Sequence, residues 1–198
     1  AAGLKVGVYF FTQAINVDEA VAEAQYTLQK ISGYDVTMPI AIDFEWPTEN
    51  GKPVGRMYDA GLTKAQYTTI CRAFCDIIAS NGYTPMVYAN SSDLKNNING
   101  ATLAERYTIW LANYTTKTSY TNPYEFWQYS SSGTVDGISG RVDCNFWYTK
   151  QNINNITTPS TGAAVSISSG KIAAIADQTY TGSALTPSMK VTVNDKTL

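Results

Sequence analysis

Asp43 and Glu45 stand two residues apart at the end of a continuous apolar run, Met38-Pro39-Ile40-Ala41-Ile42-Asp43-Phe44-Glu45-Trp46. Strand side chains alternate faces, so both carboxyls project to one side, about 6–7 Å apart along the backbone. Two acids leaving the tip of a buried strand are costly to desolvate unless water, a metal or a substrate meets them. The run is therefore predicted to form the floor of an active site. Cleavage of a glycoside needs one carboxyl protonated and one ionised, and mutual repulsion between neighbouring acids separates their proton affinities. The expectation is a raised pKa for Glu45 and an ionised Asp43.

Composition narrows the chemistry further. The 198 residues contain no histidine, which removes Ser-His and Cys-His nucleophile pairs and HExxH zinc sites. Asp and Glu are left as the main acid-base groups. Fourteen Tyr and four Trp lie among abundant Thr, Ser and Asn, a mix suited to sugars, whose apolar C–H faces stack on rings. The net charge of -2 comes without a run of Lys or Arg, so neither nucleic acid nor an anionic membrane is an expected partner. No apolar stretch exceeds strand length, so no membrane span is expected. No ligand cluster proposes a metal, and the expected cofactor set is empty. Cys71 and Cys75 fall at helical spacing and Cys144 stands apart from any base, so all three are expected as free thiols.

The elements that must position the acids can be read in order. Leu4 to Phe11 is a buried-type strand, and Asn16 with Glu19 opens a helix closing at Gly33. Met38 to Glu45 is the next strand, and Pro47 to Gly61 is a loop long enough to bind something. Thr63-Lys64-Ala65-Gln66 is a capping box for a helix running to Asn81-Gly82. Strands follow at Pro85–Ala89 and Tyr107–Ala112, with a short helix over 92–97 between them; Glu125–Tyr129 and Val142–Trp147 are strands without intervening helices. Strand-helix alternation that decays into strands predicts an α/β fold of irregular (β/α) TIM-like barrel type over residues 1–150. An open nucleotide-binding sheet is the alternative, but no GxGxxG or GxxxxGK supports it. Residues 151–162 read as a polar linker. Residues 163–198 alternate as short strands of a partial, all-β, immunoglobulin-like module.

Six segments carry a resemblance in order: Val6-Gly7-Val8-Tyr9-Phe10-Phe11, Pro39 to Glu45, Pro85-Met86-Val87-Tyr88, Ile109 to Tyr114, Phe126-Trp127-Gln128-Tyr129 and Val142-Asp143-Cys144-Asn145-Phe146. Over residues 1–150 the chain resembles the family 25 glycoside hydrolases, the N-acetylmuramidase-type lysozymes of phages and bacteria. The resemblance implies hydrolysis of the β-1,4 bond between N-acetylmuramic acid and N-acetylglucosamine in peptidoglycan glycan strands. It implies Glu45 as proton donor and Asp43 as stabiliser of the transition state or of the substrate's own N-acetyl oxygen. It further implies Asp143 as an additional active-site acid, with Tyr9, Tyr88, Trp110 and Trp127 as candidate walls of the sugar groove. An extracellular or wall-associated location, or release by a phage, follows from the substrate.

Members of that family open with a strand carrying an Asp in a Gly-Ile-Asp-Val-Ser-like motif, then a second strand, before the segment that opens this chain. By that pattern the barrel is expected to lack its first strands and to leave an unpaired sheet edge. The chain is then either a piece of a longer protein or part of a barrel completed by another chain, and a monomer is expected unless another chain completes it. A non-catalytic peptidoglycan-binding or surface-structural protein is the competing function. A chitinase-like barrel would need a longer DxxDxDxE run, and Pro39 and Ala41 fall where its acids should be.

Overall fold

The computed structural model describes residues 3–148 and, further on, residues 171–172, 191–193 and 196–197. The chain divides into two units, Ala1–Asn152 and Ile153–Leu198. In the first, the elements run β1 (Val8–Phe11), α1 (Val17–Ile31), β2 (Ile40–Asp43), β3 (Thr48–Glu49), β4 (Lys52–Pro53), α2 (Arg56–Asp59), α3 (Lys64–Ser80), β5 (Pro85–Asn90), α4 (Ser91–Asn96), α5 (Gly100–Ala104), β6 (Thr108–Ala112), β7 (Phe126–Gly133) and β8 (Val142–Trp147). In the second, β9 (Lys171–Ile172), β10 (Val191–Val193) and β11 (Lys196–Thr197) form an antiparallel sheet in the order β11-β10-β9. The linker expected over 151–162, and most of the 163–198 stretch read as an immunoglobulin-like module, lie outside the described residues.

Helix boundaries follow the capping chemistry. Asn16 Oδ1 accepts from the Glu19 backbone N–H at 2.9 Å and starts α1, and Thr63 and Gln66 form a reciprocal capping box on α3. Each cap satisfies donors that the first helical turn leaves orphaned. The loop over 47–61 is more structured than its Pro/Gly content suggests. Asn50 and Gly51 both adopt positive φ, 51° and 76°, the requirement of a two-residue hairpin turn, and they join β3 to β4. Arg56 then grips Glu19 through both guanidinium nitrogens at 2.6 and 2.7 Å, tying the loop to α1.

The main sheet has six strands in the order β1-β2-β5-β6-β7-β8, all parallel except β8, which pairs antiparallel with β7. It curls into a half-barrel. The curl brings the two edges toward each other, so that Lys5 Nζ, just before β1, lies 5.2 Å from the Trp147 ring centre on β8. β1 and β8 form the two edges of the sheet, and the antiparallel β8 departs from a regular (β/α) repeat.

Strand parity sorts the side chains. Ile40, Ile42, Phe44, Val87, Ala89, Ile109, Leu111 and Trp127 face the helices and join Phe74, Cys71, Cys75 and Ile78 of α3 in the main core. Ala41, Met86, Tyr88, Ala112 and Phe126 face the hollow of the half-barrel. Cys71 and Cys75 are buried free thiols, and Cys144, also free, is half-buried; burial pushes the Cys71 thiol up to about 12. Phe74 is fully buried where α3 meets the sheet. Phe74→Ala is expected to lower stability by about 3–5 kcal/mol through the cavity it leaves. Tyr34→Ala, at a side chain 74% exposed, is expected to stay within about 0.5 kcal/mol of wild type; paired urea melts check both.

Candidate active site

The strand order sets the site. In register, Asp43 of β2 pairs with Tyr88 of β5, Tyr88 with Trp110 of β6, Trp110 with Phe126 of β7, and Phe126 with Trp147 of β8. One same-face step toward the strand C-termini stand Glu45, Asn90, Ala112, Gln128 and Asn145. A cleft of about 110 Å³ opens at this end of the sheet, lined by Tyr9, Asp43, Glu45, Tyr88, Trp110, Gln128 and Asp143. Beneath it, inside the half-barrel, lies an apolar hollow of about 480 Å³ whose walls include Val8, Met38, Ala41, Met86, Phe126 and Trp147.

Backbone bonds hold the acids in place. The Thr12 N–H donates to the Asp43 carbonyl at 3.1 Å, and the Phe44 N–H donates to the Tyr88 carbonyl at 2.9 Å, so extended geometry continues to Glu45. Asp43 is only 5% exposed, and its Oδ1 has no hydrogen-bond partner. Burial, followed by the charge of Glu45, raises the Asp43 pKa to about 7. Glu45 is also raised, by burial first and then by the charges of Asp93 and Asp143. This corrects the expectation of an ionised Asp43: desolvation at the buried end of β2 outweighs the splitting that repulsion alone would produce. Both carboxyls therefore bind a proton more tightly than free acids do.

Six of the seven anticipated residues, Glu45, Asp43, Asp143, Tyr9, Tyr88 and Trp110, line one cleft. Trp110 is held by its Nε1–H donating to Asn145 Oδ1 at 2.7 Å, and its ring meets Tyr88 edge-on at 4.7 Å. Trp127 does not belong there. Its parity is opposite to that of Gln128, so it turns to the helix-side core, 7% exposed, with Nε1–H donating to the Asn113 carbonyl at 2.8 Å.

Residues not anticipated also shape the cleft. Tyr88 Oη donates to Gln128 Oε1 at 2.7 Å, and Tyr114 Oη donates to the same oxygen at 3.0 Å. Asp93, in the first turn of α4, is 6% exposed and accepts from Asn90 Nδ2 at 2.5 Å and from Asn97 Nδ2 at 2.6 Å. Burial raises its pKa, with both amides opposing. Gln128 was recoverable as the residue two past Phe126 on one strand face. Asp93, three residues into an Asn-capped helix, looks like routine capping chemistry in the sequence. Among the described residues no cluster of three or more His, Cys, Asp or Glu is arranged to hold a metal.

A carboxyl bound more tightly by protons when folded stabilises the fold at low pH and loses that contribution as pH rises. For Asp43 the loss runs from about pH 4 to pH 7, between its ordinary and folded values. Asp43→Asn is expected to raise the melting temperature at pH 8 relative to wild type, by at most about 4 kcal/mol of added stability. At pH 4 the two melts should nearly coincide; an equal gain at both values would show that Asp43 is not desolvated.

The sequence profile described as Glycosyl hydrolases family 25 matches residues 1–138. An autolytic lysozyme of Clostridium acetobutylicum is 31% identical over 143 residues, which make up 72% of this chain and 39% of that protein. The chain thus spans about two-fifths of the length of this curated relative. The modular autolysin LytC of Streptococcus pneumoniae, solved in complex with a synthetic peptidoglycan ligand, superposes with a TM-score of 0.62 at 30% identity, over 74% of this chain and 34% of that one. A bacterial lysozyme from Streptomyces coelicolor gives a TM-score of 0.58 at 26% identity, over 75% of this chain and 69% of that one. With the profile covering well over half of its residues, this chain belongs to Glycosyl hydrolases family 25.

Proposed function

We propose that this chain is a muramidase that hydrolyses the β-1,4 bond between N-acetylmuramic acid and N-acetylglucosamine in peptidoglycan. The observation that carries the reading is a carboxyl pair, Asp43 and Glu45, on one strand face in a cleft lined by Tyr9, Tyr88 and Trp110, both held above the ordinary carboxylate range by burial. The similarity to lysozymes and autolysins supports it.

Glu45, half-buried and nearer the mouth, is the general acid that protonates the leaving glycosidic oxygen. Asp43 stabilises positive charge at the anomeric carbon or steers the substrate's acetamido oxygen toward it. A substrate N–H donating to the unpartnered Asp43 Oδ1 favours the ionised form of Asp43. Glu45, raised by burial, then holds the proton where protonation of the leaving group needs it. Asp143, across the cleft on β8, raises the proton affinity of Glu45 and keeps it in its acid form. Action is placed at the cell wall by the substrate; among the described residues no helix is long and apolar enough to cross a membrane.

The test is release of fragments ending in reducing N-acetylmuramic acid from purified peptidoglycan, with wild type and Glu45→Gln side by side. Glu45→Gln is expected to lower release by about 10²–10⁴-fold, the span of general acid catalysis, while binding persists. Wild-type activity should fall above about pH 7 as the pair loses its last proton. Pull-down on peptidoglycan without release by either protein would instead identify a binding module.

A further inference from the structure

Gln128 has an acceptor that is fully used and a donor that is not. Its Oε1 carries two lone pairs, and the hydroxyls of Tyr88 and Tyr114 take both, at 2.7 and 3.0 Å. That pairing fixes which way the amide faces and which end is offered. Nε2, with two N–H groups, donates to no described residue, yet it is not among the buried atoms sealed from solvent without a partner. The residue as a whole is 4% exposed and lines the cleft, so these N–H groups open into the cleft. Asp43 presents the converse need in the same space: a carboxyl 5% exposed whose Oδ1 lacks a donor.

The cleft thus offers one unsatisfied acceptor and one unsatisfied donor, linked through Tyr88, which pairs with Asp43 in register and bonds Gln128 through its hydroxyl. A ligand hydroxyl can answer both only through a single oxygen that lies within reach of Asp43 and Gln128 together. An acetamido group carries an N–H and a C=O on opposite edges of one rigid plane and meets both at once. An N-deacetylated sugar brings an ammonium that can satisfy Asp43 and leaves Gln128 without an acceptor.

We propose that the Gln128 side-chain amide donates to the acetamido carbonyl oxygen of the sugar held over Asp43, which makes it a specificity-determining residue for N-acetylated glycan. The inference rests on the muramidase reading and extends it to a residue and a substrate feature. Tyr88 and Tyr114 act as positioning residues, since their hydroxyls hold the amide in the orientation that exposes Nε2.

The test compares the full chain with Gln128→Glu and Gln128→Met on N-acetylated and de-N-acetylated peptidoglycan fragments, by calorimetric affinity and by muropeptide release. Gln128→Glu keeps the shape and both tyrosine bonds and removes the donors when ionised; Gln128→Met removes them at any pH without adding charge. Both variants are expected to lose about tenfold of the wild-type preference for N-acetylated fragments, the worth of one neutral hydrogen bond. A purely structural role would lower both affinities alike. On the wild-type chain, the Gln128 side-chain amide signal in a ¹H–¹⁵N spectrum should move with N-acetylated fragments and stay put with de-N-acetylated ones, a readout independent of the variants' folding. An unchanged preference in both variants, or an unmoved amide signal on saturation with N-acetylated fragments, overturns the inference while leaving muramidase activity standing. Wild-type protein that neither binds nor cleaves overturns the muramidase reading and this inference with it.

Discussion

Desolvation of one carboxyl at the end of a strand buried on both faces is the constraint around which this domain is arranged. β2 lies between β1 and β5, its helix-side residues Ile40, Ile42 and Phe44 fully buried and Ala41 turned to the hollow of the half-barrel. Ladder bonds to Thr12 and Tyr88 deny Asp43 any latitude to swing toward bulk water. An unpartnered buried carboxyl oxygen costs about 1–3 kcal/mol. The helix-side core bears that cost, with large side chains such as Phe44, Phe74, Ile78 and Leu111 completely removed from solvent. Stability on one face of the sheet thus underwrites poor solvation on the other, and the poorly solvated group is a carboxyl whose pKa is raised to about 7.

Preorganisation is the second consequence. Tyr88 spans from β5 to Gln128 on β7, passing over β6, where the Trp110 ring meets it edge-on. Trp110 is in turn pinned by Asn145 on β8. Four strands are therefore joined on the cleft side by side-chain contacts that use aromatic O–H and N–H donors and amide acceptors. Both amides spend their oxygens on these internal bonds, so the wall they form is rich in donors, facing a floor rich in carboxyl acceptors. Such a pairing suits a ligand with alternating acceptors and donors and is built before the ligand arrives.

Much of this was legible in the sequence, for identifiable reasons. Asn16, Thr63 and Gln66 announce their helices because caps satisfy specific orphan donors, and the parity of Asp43 and Glu45 follows from strand alternation alone. The Asp-x-Glu spacing and the segments around it located six of the cleft's lining residues, Tyr9, Asp43, Glu45, Tyr88, Trp110 and Asp143. Trp127 failed because its placement requires knowing which parity of β7 faces the hollow. In a Phe-Trp-Gln-Tyr run every residue is compatible with either side, and register with β6 decides. The hairpin at Asn50-Gly51 and the short helix α5 were hidden inside stretches that looked like loop. The ionisation of Asp43 was misjudged because repulsion between neighbours can be read from spacing, whereas burial depends on β1 and β5 closing over the strand.

The cleft's charge balance then explains why two raised carboxyls are sustained side by side. Asp43, Glu45 and Asp143 line it, Asp93 acts on Glu45 from α4, and no Lys or Arg is among the lining residues. The two ion pairs among the described residues, Arg56 with Glu19 and Arg106 with Asp76, are spent elsewhere. Had a guanidinium entered the cleft, it would have held one acid well below its ordinary range, as Arg56 holds Glu19 down at about 2. Two acids so paired would be ionised at neutral pH and could donate no proton. Leaving the cleft without a cation lets burial and mutual repulsion act in the same direction. The result is a cleft whose two strand-borne acids both hold protons more tightly than free carboxyls, with no lining cation to strip them.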